Sequence, residues 1–290
     1  MFDVYRENLI KNAERKLRGS SNTIQYKDIK AKQLVIKWQA FLNSTSNKTS
    51  LIDFLVKEWK LEKNIARLNE KMLLVTSGII CHKLSSQGCS YVSELESNQE
   101  EADTRLLLHT AHVSRSGFQT AIVVADDTDV LMMLIAFQKE IRIPIYFKCG
   151  TKARVKYIEI QKIVNALGEH VSEAILGMHS FTGCDSVSTF AGRGKLSSLK
   201  LLKNNFQVHD TFCELGKQWT VTPALFSKLE TFVCQLYSAK TTTTDVNELR
   251  YCIFASKKGQ IEPHQLPPCG NALQKHICRA NYQAAIWRRS

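Results

Sequence analysis

Three short groups of acidic residues are the side chains of this sequence best suited to chemistry. Their members are Glu101 and Asp103, Asp127 and Asp129, and Asp185. Crowded carboxylates repel one another and resist ionising together unless a cation neutralises them. Oxygen-only sites of this kind suit hard divalent ions such as Mg²⁺ and Mn²⁺. If folding gathers the three groups, the sequence therefore predicts a metal site.

Each group also has a purely structural interpretation. Asp127 can cap the helix that follows it, and Asp185 can stabilise a turn. Glu101 and its neighbour Glu100 can favour the positive end of a helix. Residue types alone leave both interpretations open for every group.

The second acidic group follows a continuous apolar run at 121–124, which predicts a strand buried in a parallel sheet. The carboxyl end of such a strand is where open α/β sheets bind ligands. Residues i and i+2 of an extended segment point the same way. We therefore expect Asp127 and Asp129 to present two carboxylates to one point.

Helix and strand patterns alternate on either side of this group. Apolar periodicity predicts strands at 72–76, 79–84, 121–124, 143–148 and 155–158. It predicts helices at 6–18, 32–43, 49–63 and 100–116, a further helix that begins near 129, and another that ends at 167. This alternation predicts a doubly wound α/β core between about 70 and 185. Beyond it the chain is predicted to be mainly helical, at 196–204, 223–237, 245–255 and 273–287.

The order Glu-x-Asp, then Asp-x-Asp after a buried strand, then Gly-x-Asp resembles the flap-endonuclease branch of the PIN-like nuclease superfamily. The matching residues are Glu101 and Asp103, Asp127 and Asp129, and Asp185. The resemblance implies a PIN-like three-layer α/β fold with a mostly parallel sheet over 1–205. It also implies a helical arch at about 6–65, and 206–290 would then be a mainly helical C-terminal extension.

Two further stretches extend the resemblance. Asp3 is similar to a strand-end acidic position of the family, and the basic residues of the arch would be Lys11, Arg15 and Lys16. Gly192, Gly194 and Lys195 resemble the family's helix-hairpin-helix element, where glycines let backbone N–H groups approach a phosphate. A glycine-rich turn before an ordinary helix is the alternative for these three residues.

The family has a further N-terminal strand with another metal-ligating Asp, upstream of the position matched by Asp3. This sequence begins at that point, so we expect the strand and its Asp to be missing and the chain to be a fragment. The chain also resembles a group of uncharacterised animal proteins with a suggested link to mobile elements. The shared stretches are 99–106, 127–131, 181–186 and 279–287.

Composition points to a basic globular protein inside the cell. The net charge is +12, which favours polyanionic partners such as DNA or RNA. The longest apolar run, 130–137, is far shorter than the roughly 20 residues that span a bilayer, so no membrane partner is expected. Nine dispersed cysteines without a Cys-x-x-Cys pair predict reduced thiols and a nuclear or cytoplasmic location. Cys269, His276 and Cys278 lack a fourth zinc ligand.

Three functions remain as hypotheses. The first is a nuclease hydrolysing phosphodiester bonds with two Mg²⁺ or Mn²⁺ ions. Its catalytic ligands would be Glu101, Asp127, Asp129 and Asp185, supported by Asp103 and Asp3. The second is a nuclease-like module that binds nucleic acid without catalysis, which the missing strand favours. The third takes the segment 127–130 as the Asp-x-Asp-x-Val motif of haloacid-dehalogenase-like phosphatases. The oligomeric state stays open.

Overall fold

The computed structural model of the chain describes residues 1–4, 25–26 and 29–289. It divides into two compact units, Met1–His112 and Val113–Ser290. The predicted basic helix at 6–18 lies outside the described residues. The predicted domain boundary near residue 205 stays a prediction.

Short helices and a three-stranded antiparallel sheet make up the first unit. The elements are α1 (Trp38–Asn43), α2 (Thr45–Trp59), α3 (Glu62–Ile65), β1 (Leu73–Ser77), β2 (Ile80–Ser85) and β3 (Gly88–Tyr91). The strands pair in the order β1-β2-β3. Helix α2 packs Ile52 and Val56 against Val75 and Leu84 of the sheet. The strands predicted at 72–76 and 79–84 are confirmed; β3 was missed because its sequence has no apolar alternation.

Local capping explains where the helices of this unit begin. Helix α2 begins four residues earlier than predicted because the Ser44 hydroxyl accepts a hydrogen bond from the Asn47 N–H. Helix α4 (Ala102–Arg115) begins where the Asp3 carboxylate accepts a hydrogen bond from the Ala102 N–H, at 2.9 Å. Both caps satisfy N–H groups that have no partner within the helix.

The second unit begins with alternating strands and helices. They are β4 (Ala121–Val124), α5 (Thr128–Ala136), β5 (Ile145–Cys149), β6 (Lys156–Glu159), α6 (Ile160–Leu167) and α7 (Glu169–Phe181). The strands form one sheet in the order β4-β5-β6. The chain is thus a mixed α/β protein, as expected, and the strand at 121–124 is confirmed.

The expected mostly parallel sheet is not what the described strands form. Strands β4 and β5 are parallel, whereas β6 runs antiparallel to β5. Only the residues 150–155 separate β5 from β6, and Gly150, with a φ of +85°, turns the chain back. A parallel crossover needs a dozen residues or more, so this connection can only give an antiparallel neighbour.

The two faces of β4 also differ from the prediction. Ala121 and Val123 are buried, but Ile122 is 58% exposed and Val124 is 63% exposed. A continuous apolar run predicts burial on both faces of a strand. That prediction is wrong here because, within this unit, packing covers only the face that carries Ala121 and Val123.

Helix α7 lies at the centre of the second unit and is followed by five helices. These are α8 (Lys195–Asn204), α9 (Phe206–Glu214), α10 (Pro223–Tyr237), α11 (Val246–Ser256) and α12 (Gly270–Trp287), which confirms the predicted helical C-terminal region. Helix α7 packs against α5, α9 and α12. The rings of Phe181, Phe212 and Phe232 form an aromatic cluster within this core.

A glycine lets α7 and α9 approach closely. A Cβ on Gly177 would lie 2.1 Å from the Phe212 carbonyl oxygen, which no side chain could tolerate without movement of the backbone. Among the described residues, no helix combines the length and the apolar character that crossing a bilayer requires.

Candidate acidic site at the carboxyl end of strand β4

Two of the three aspartates after β4 hold the local backbone in place. Asp127 is the N-cap of α5, and its Oδ1 accepts a hydrogen bond from the Asp129 N–H at 2.9 Å. Asp126 Oδ1 accepts a hydrogen bond from the Gly150 N–H at 2.6 Å and so ties the end of β4 to the end of β5. Both contacts are the structural roles that short acidic side chains fill at turns and helix starts.

The helix start changes how Asp127 and Asp129 point. Helix α5 begins at Thr128, so the backbone is extended only as far as Asp127. The expectation that both carboxylates face one point assumed an extended segment through Asp129, and that assumption is wrong. Asp127 remains at the cap, whereas Asp129 turns into the unit as part of the first helical turn.

Asp129 is buried and paired with a buried histidine. It is 7% exposed, and its Oδ1 lies 2.7 Å from Nε2 of His179, which is 1% exposed. The His179 ring packs against the Trp287 ring, with 5.7 Å between centroids. His179 Nδ1 has no hydrogen-bond partner among the described residues. A buried polar group that is not fully hydrogen-bonded costs stability. Such groups are found more often at functional sites than elsewhere.

A lysine approaches the same carboxylate from the start of α8. Lys195 is partly buried, and its Nζ donates a hydrogen bond to the Gly183 carbonyl oxygen. Burial lowers the pKa of Lys195, and the negative charge of Asp129 opposes that shift. Lys195 therefore points inward, towards Gly183 and the buried aspartate.

The third acidic motif, which contains Asp185, lies in a tight turn near Asp129. Gly183 has a φ of +111°, and a Cβ there would lie 2.4 Å from the Thr189 side chain, so the turn requires glycine. Burial raises the pKa of the Cys184 thiol, and the nearby charge of Asp129 raises it further. Asp185 is the next residue in this turn and is exposed. Chain folding thus brings the third motif to the second.

A cleft beside Asp126, at the edge of the β4-β5-β6 sheet, is lined by two basic residues. Its volume is about 580 Å³, and it is lined by Asp126, Cys149, Gly150, Ala153, Arg154, Val155 and Lys156. Arg154 and Lys156 are exposed and make no ion pair with a described carboxylate. Sequence reasoning missed both cations because no motif marks them: Arg154 ends a short 3₁₀ helix, and Lys156 is the first residue of β6. It also missed His179, which lies within an apolar helix.

The first acidic pair belongs to the other unit. Asp103 lies in the first turn of α4, and Glu101 directly precedes that helix. Asp3 caps the same helix at Ala102, and the Val4 N–H donates to the Glu100 carbonyl oxygen at 2.8 Å. Folding therefore places Asp3 at the start of α4, where its carboxylate acts as a helix cap; its predicted role as a metal ligand stays a prediction.

The remaining predicted residues fall into two sets. Lys11, Arg15 and Lys16 lie outside the described residues. Gly192 has a φ of +67°, and Gly194 is the N-cap of α8 with open space around its Cα. Nothing crowds either glycine, so the turn before α8 is accessible to a ligand.

The residue types at the site suit a metal ion, but their arrangement in the described part of the chain does not form a metal site. Among Asp127 and Asp129, each carboxylate uses only Oδ1 in a hydrogen bond, which leaves one oxygen on each as a hard ligand. Over residues 1–4, 25–26 and 29–289, however, no three His, Cys, Asp or Glu side chains are grouped closely enough to hold an ion. One oxygen on each carboxylate is left over, but no set of ligands is assembled among the described residues.

No protein-family model, curated protein or solved structure matches this chain. The site must therefore be interpreted from its own residues.

Proposed function

We propose that this chain is a divalent-metal-dependent nuclease of flap-endonuclease type, built on a PIN-like three-layer arrangement, that hydrolyses phosphodiester bonds in DNA or RNA. The observation that carries the proposal is the burial of Asp129 beside His179 and Lys195 at the carboxyl end of β4. A helix cap needs only Asp127, so a second, buried aspartate two residues later has no capping role to explain it.

Each part of the site has a distinct role in this proposal. His179 fixes the orientation of the Asp129 carboxylate, and Asp127 is held by the backbone of α5. Arg154 and Lys156 line the adjacent cleft, where they can hold the phosphates of a substrate strand. Mg²⁺ or Mn²⁺ would supply activation of water and stabilisation of the leaving oxygen.

Asp185 is the ligand that we expect to complete the set. It is exposed in the turn whose neighbour Cys184 already lies within the electrostatic influence of Asp129. Its side chain would have to approach Asp129 when an ion binds. Glu101 and Asp103, supported by Asp3, are the other candidate ligands, at the start of α4 in the first unit.

Cleavage assays with single substitutions test the nuclease. Branched and single-stranded DNA and RNA should be cut in Mg²⁺ or Mn²⁺ and not in excess chelator. Asp129→Ala and Asp185→Ala should each reduce the rate by about 100-fold or more, since even outer-shell changes around metals cost about 10–100-fold. Asp210→Ala is the matched control, because Asp210 is an exposed aspartate of α9. Cleavage that survives both site substitutions would come from a contaminant or from another site.

One observation favours a second candidate, a nucleic-acid-binding module without catalysis. Asp129 already has a hydrogen-bond partner in His179 and a nearby positive charge in Lys195, and no ready group of three metal ligands exists among the described residues. This candidate predicts binding that persists in Asp129→Ala and requires no metal. Turnover of a generic aryl phosphate, with no action on nucleic acid, would instead favour the phosphatase hypothesis.

A further inference from the structure

A second cleft lies in the first unit, between α2 and the hairpin of β1 and β2. Its volume is about 520 Å³, within the range of clefts that hold small organic molecules. It is lined by Ile29, Ser50, Asp53, Phe54, Val56, Lys57, Lys60, Ser77 and His82. We call it the α2–hairpin cleft. It contains none of the acidic residues of the proposed nuclease site.

His82 lines this cleft with unused hydrogen-bonding capacity. The residue is 6% exposed, and its Nδ1 is buried without a hydrogen-bond partner among the described residues. The ring packs against Tyr91, with 5.1 Å between centroids. Buried polar groups are almost always satisfied by protein or by ordered water, so this nitrogen has room for one further partner.

Two lysines add positive charge on the same side of the cleft. Lys57 and Lys60 are three residues apart at the end of α2, a spacing that places them side by side. Neither makes an ion pair with a described carboxylate. Lysines at a helix C-terminus also complement the helix dipole, and both of these line the cleft as well. Lys60 is near enough to His82 that its charge, after burial, helps to lower the His82 pKa.

The one carboxylate of the cleft, Asp53, makes no ion pair with either lysine among the described residues. Asp53 lies one helical turn before Lys57, yet its Oδ1 accepts a hydrogen bond from the Ser77 hydroxyl at 3.2 Å. Ser50 adds a second hydroxyl, and Phe54 adds an aromatic wall. Lys60 Nζ lies 5.9 Å from the centroid of the Tyr91 ring, and neither lysine is neutralised by an ion pair with a described carboxylate. The cleft thus combines two lysines and an imidazole with one acceptor and an apolar surface. The lysines and the imidazole suit an anionic phosphate. The acceptor and the apolar surface can contact the rest of a larger ligand.

We propose that the α2–hairpin cleft binds a phosphate monoester of nucleotide size, with Lys57, Lys60 and His82 contacting the phosphate. Asp53 accepts a hydrogen bond from a hydroxyl or N–H of the same ligand, and Phe54 contacts its apolar part. The phosphate monoester belongs to a free mononucleotide or to the phosphorylated end of a strand, and the chemistry of recognition is the same for both.

Calorimetric titration of the full chain tests this proposal with adenosine 5′-monophosphate, inorganic phosphate, and a short single-stranded oligonucleotide with or without a 5′-phosphate. The monoester ligands should bind more tightly than inorganic phosphate, and the 5′-phosphate should strengthen oligonucleotide binding. Binding of the oligonucleotide alone would identify a strand end, and binding of both would include the free nucleotide.

Substitutions separate a specific site from general attraction to a basic protein. Lys57→Ala and Lys60→Ala should each weaken binding of the monoester about tenfold, which corresponds to losing one charge-assisted contact. Lys63→Ala is the matched control, since Lys63 is an exposed lysine of the neighbouring helix α3 and does not line the cleft. His82→Asn tests the imidazole, with a thermal unfolding curve to show that the variant is folded.

Equal weakening by Lys63→Ala would mean non-specific attraction and would overturn the proposal. So would unchanged affinity in the Lys57→Ala/Lys60→Ala double variant, or no binding of any monoester. None of these results affects the acidic residues of the nuclease proposal, because Asp127, Asp129 and Asp185 lie outside the cleft.

Discussion

Burial separates Asp129 from Asp127, although only one residue lies between them. Asp127 is satisfied by the N–H groups at the start of α5, as any capping aspartate would be. Asp129 instead relies on His179, whose second ring nitrogen has no partner among the described residues. A buried polar pair with an unsatisfied nitrogen contributes less stability than apolar packing of the same volume. Stability alone therefore does not account for Asp129, and this is why the functional interpretation rests on it.

Another buried histidine gives a prediction about pH. His109 of α4 is 5% exposed, and burial, together with positive neighbours such as Arg105, lowers its pKa to about 4. In the unfolded chain it titrates near 6.5, so the unfolded state binds this proton first as the pH falls. Its contribution therefore destabilises the fold as the pH falls from about 6.5 to about 4, by about 3 kcal/mol in total.

Urea unfolding at pH 7 and at pH 4.5 measures this contribution. His109→Gln should show a smaller loss of unfolding free energy between the two pH values than the wild type does. His264→Gln is the control, because His264 is exposed and should leave the pH dependence unchanged. Identical pH dependence in His109→Gln and wild type would show that His109 does not titrate in this way.

At the scale of elements, the start of α5 combines a structural and a proposed catalytic role in one residue. Asp127→Asn keeps a side-chain oxygen that can accept the Asp129 N–H, so helix stability should change by only a few tenths of a kcal/mol. Asp127→Ala removes the cap and should cost about 1 kcal/mol. If the carboxylate is also a metal ligand, both variants should lose nuclease activity to the same extent.

Comparing thermal unfolding with cleavage rates separates these two roles. The informative variant is Asp127→Asn, which should be as stable as the wild type and inactive. A stable and fully active Asp127→Asn protein would leave Asp127 with its capping role alone.

The sequence could predict the elements more easily than their arrangement. The apolar run at 121–124 predicted β4 and its acidic end because both are local signals. The exposure of Ile122 and Val124 depends on what covers the sheet, which the pattern of one strand does not contain. The antiparallel direction of β6 followed from the short connection after Gly150, and its length was a signal that could have been used.

The candidate site was predictable to the same degree. The order of acidic motifs predicts Asp127, Asp129 and Asp185 as candidate ligands, whereas the turn that requires Gly183 is seen only in the structure. His179 lies fifty residues from Asp129, within a helix that sequence patterns describe only as apolar. A side-chain contact over that separation depends on how α5 and α7 pack. No local pattern encodes it.

At the scale of the molecule, positive charge is spread over both compact units. The net charge is +12, with lysine and arginine along the first 63 residues and again over 257–290. The two proposed ligand sites lie in different units, one beside α2 and the other beside β4. Any single-stranded nucleic acid that binds either cleft must therefore release counterions from its backbone.

Salt dependence tests how much of that binding is electrostatic and where it is located. If only two phosphates are neutralised, affinity for a single-stranded oligonucleotide should fall about sevenfold between about 50 and 200 mM salt, from a slope of about −0.7 per phosphate. The Arg154→Ala/Lys156→Ala double variant should lower the steepness of that dependence by about 1.4, the share of two phosphate contacts on a single strand, because both cations line the cleft at the end of β4. Lys240→Ala/Lys258→Ala removes the same charge from exposed positions outside that cleft. Equal effects of the two double variants would mean that the strand is held by overall charge, and the rim of the β4 sheet would lose its role in binding.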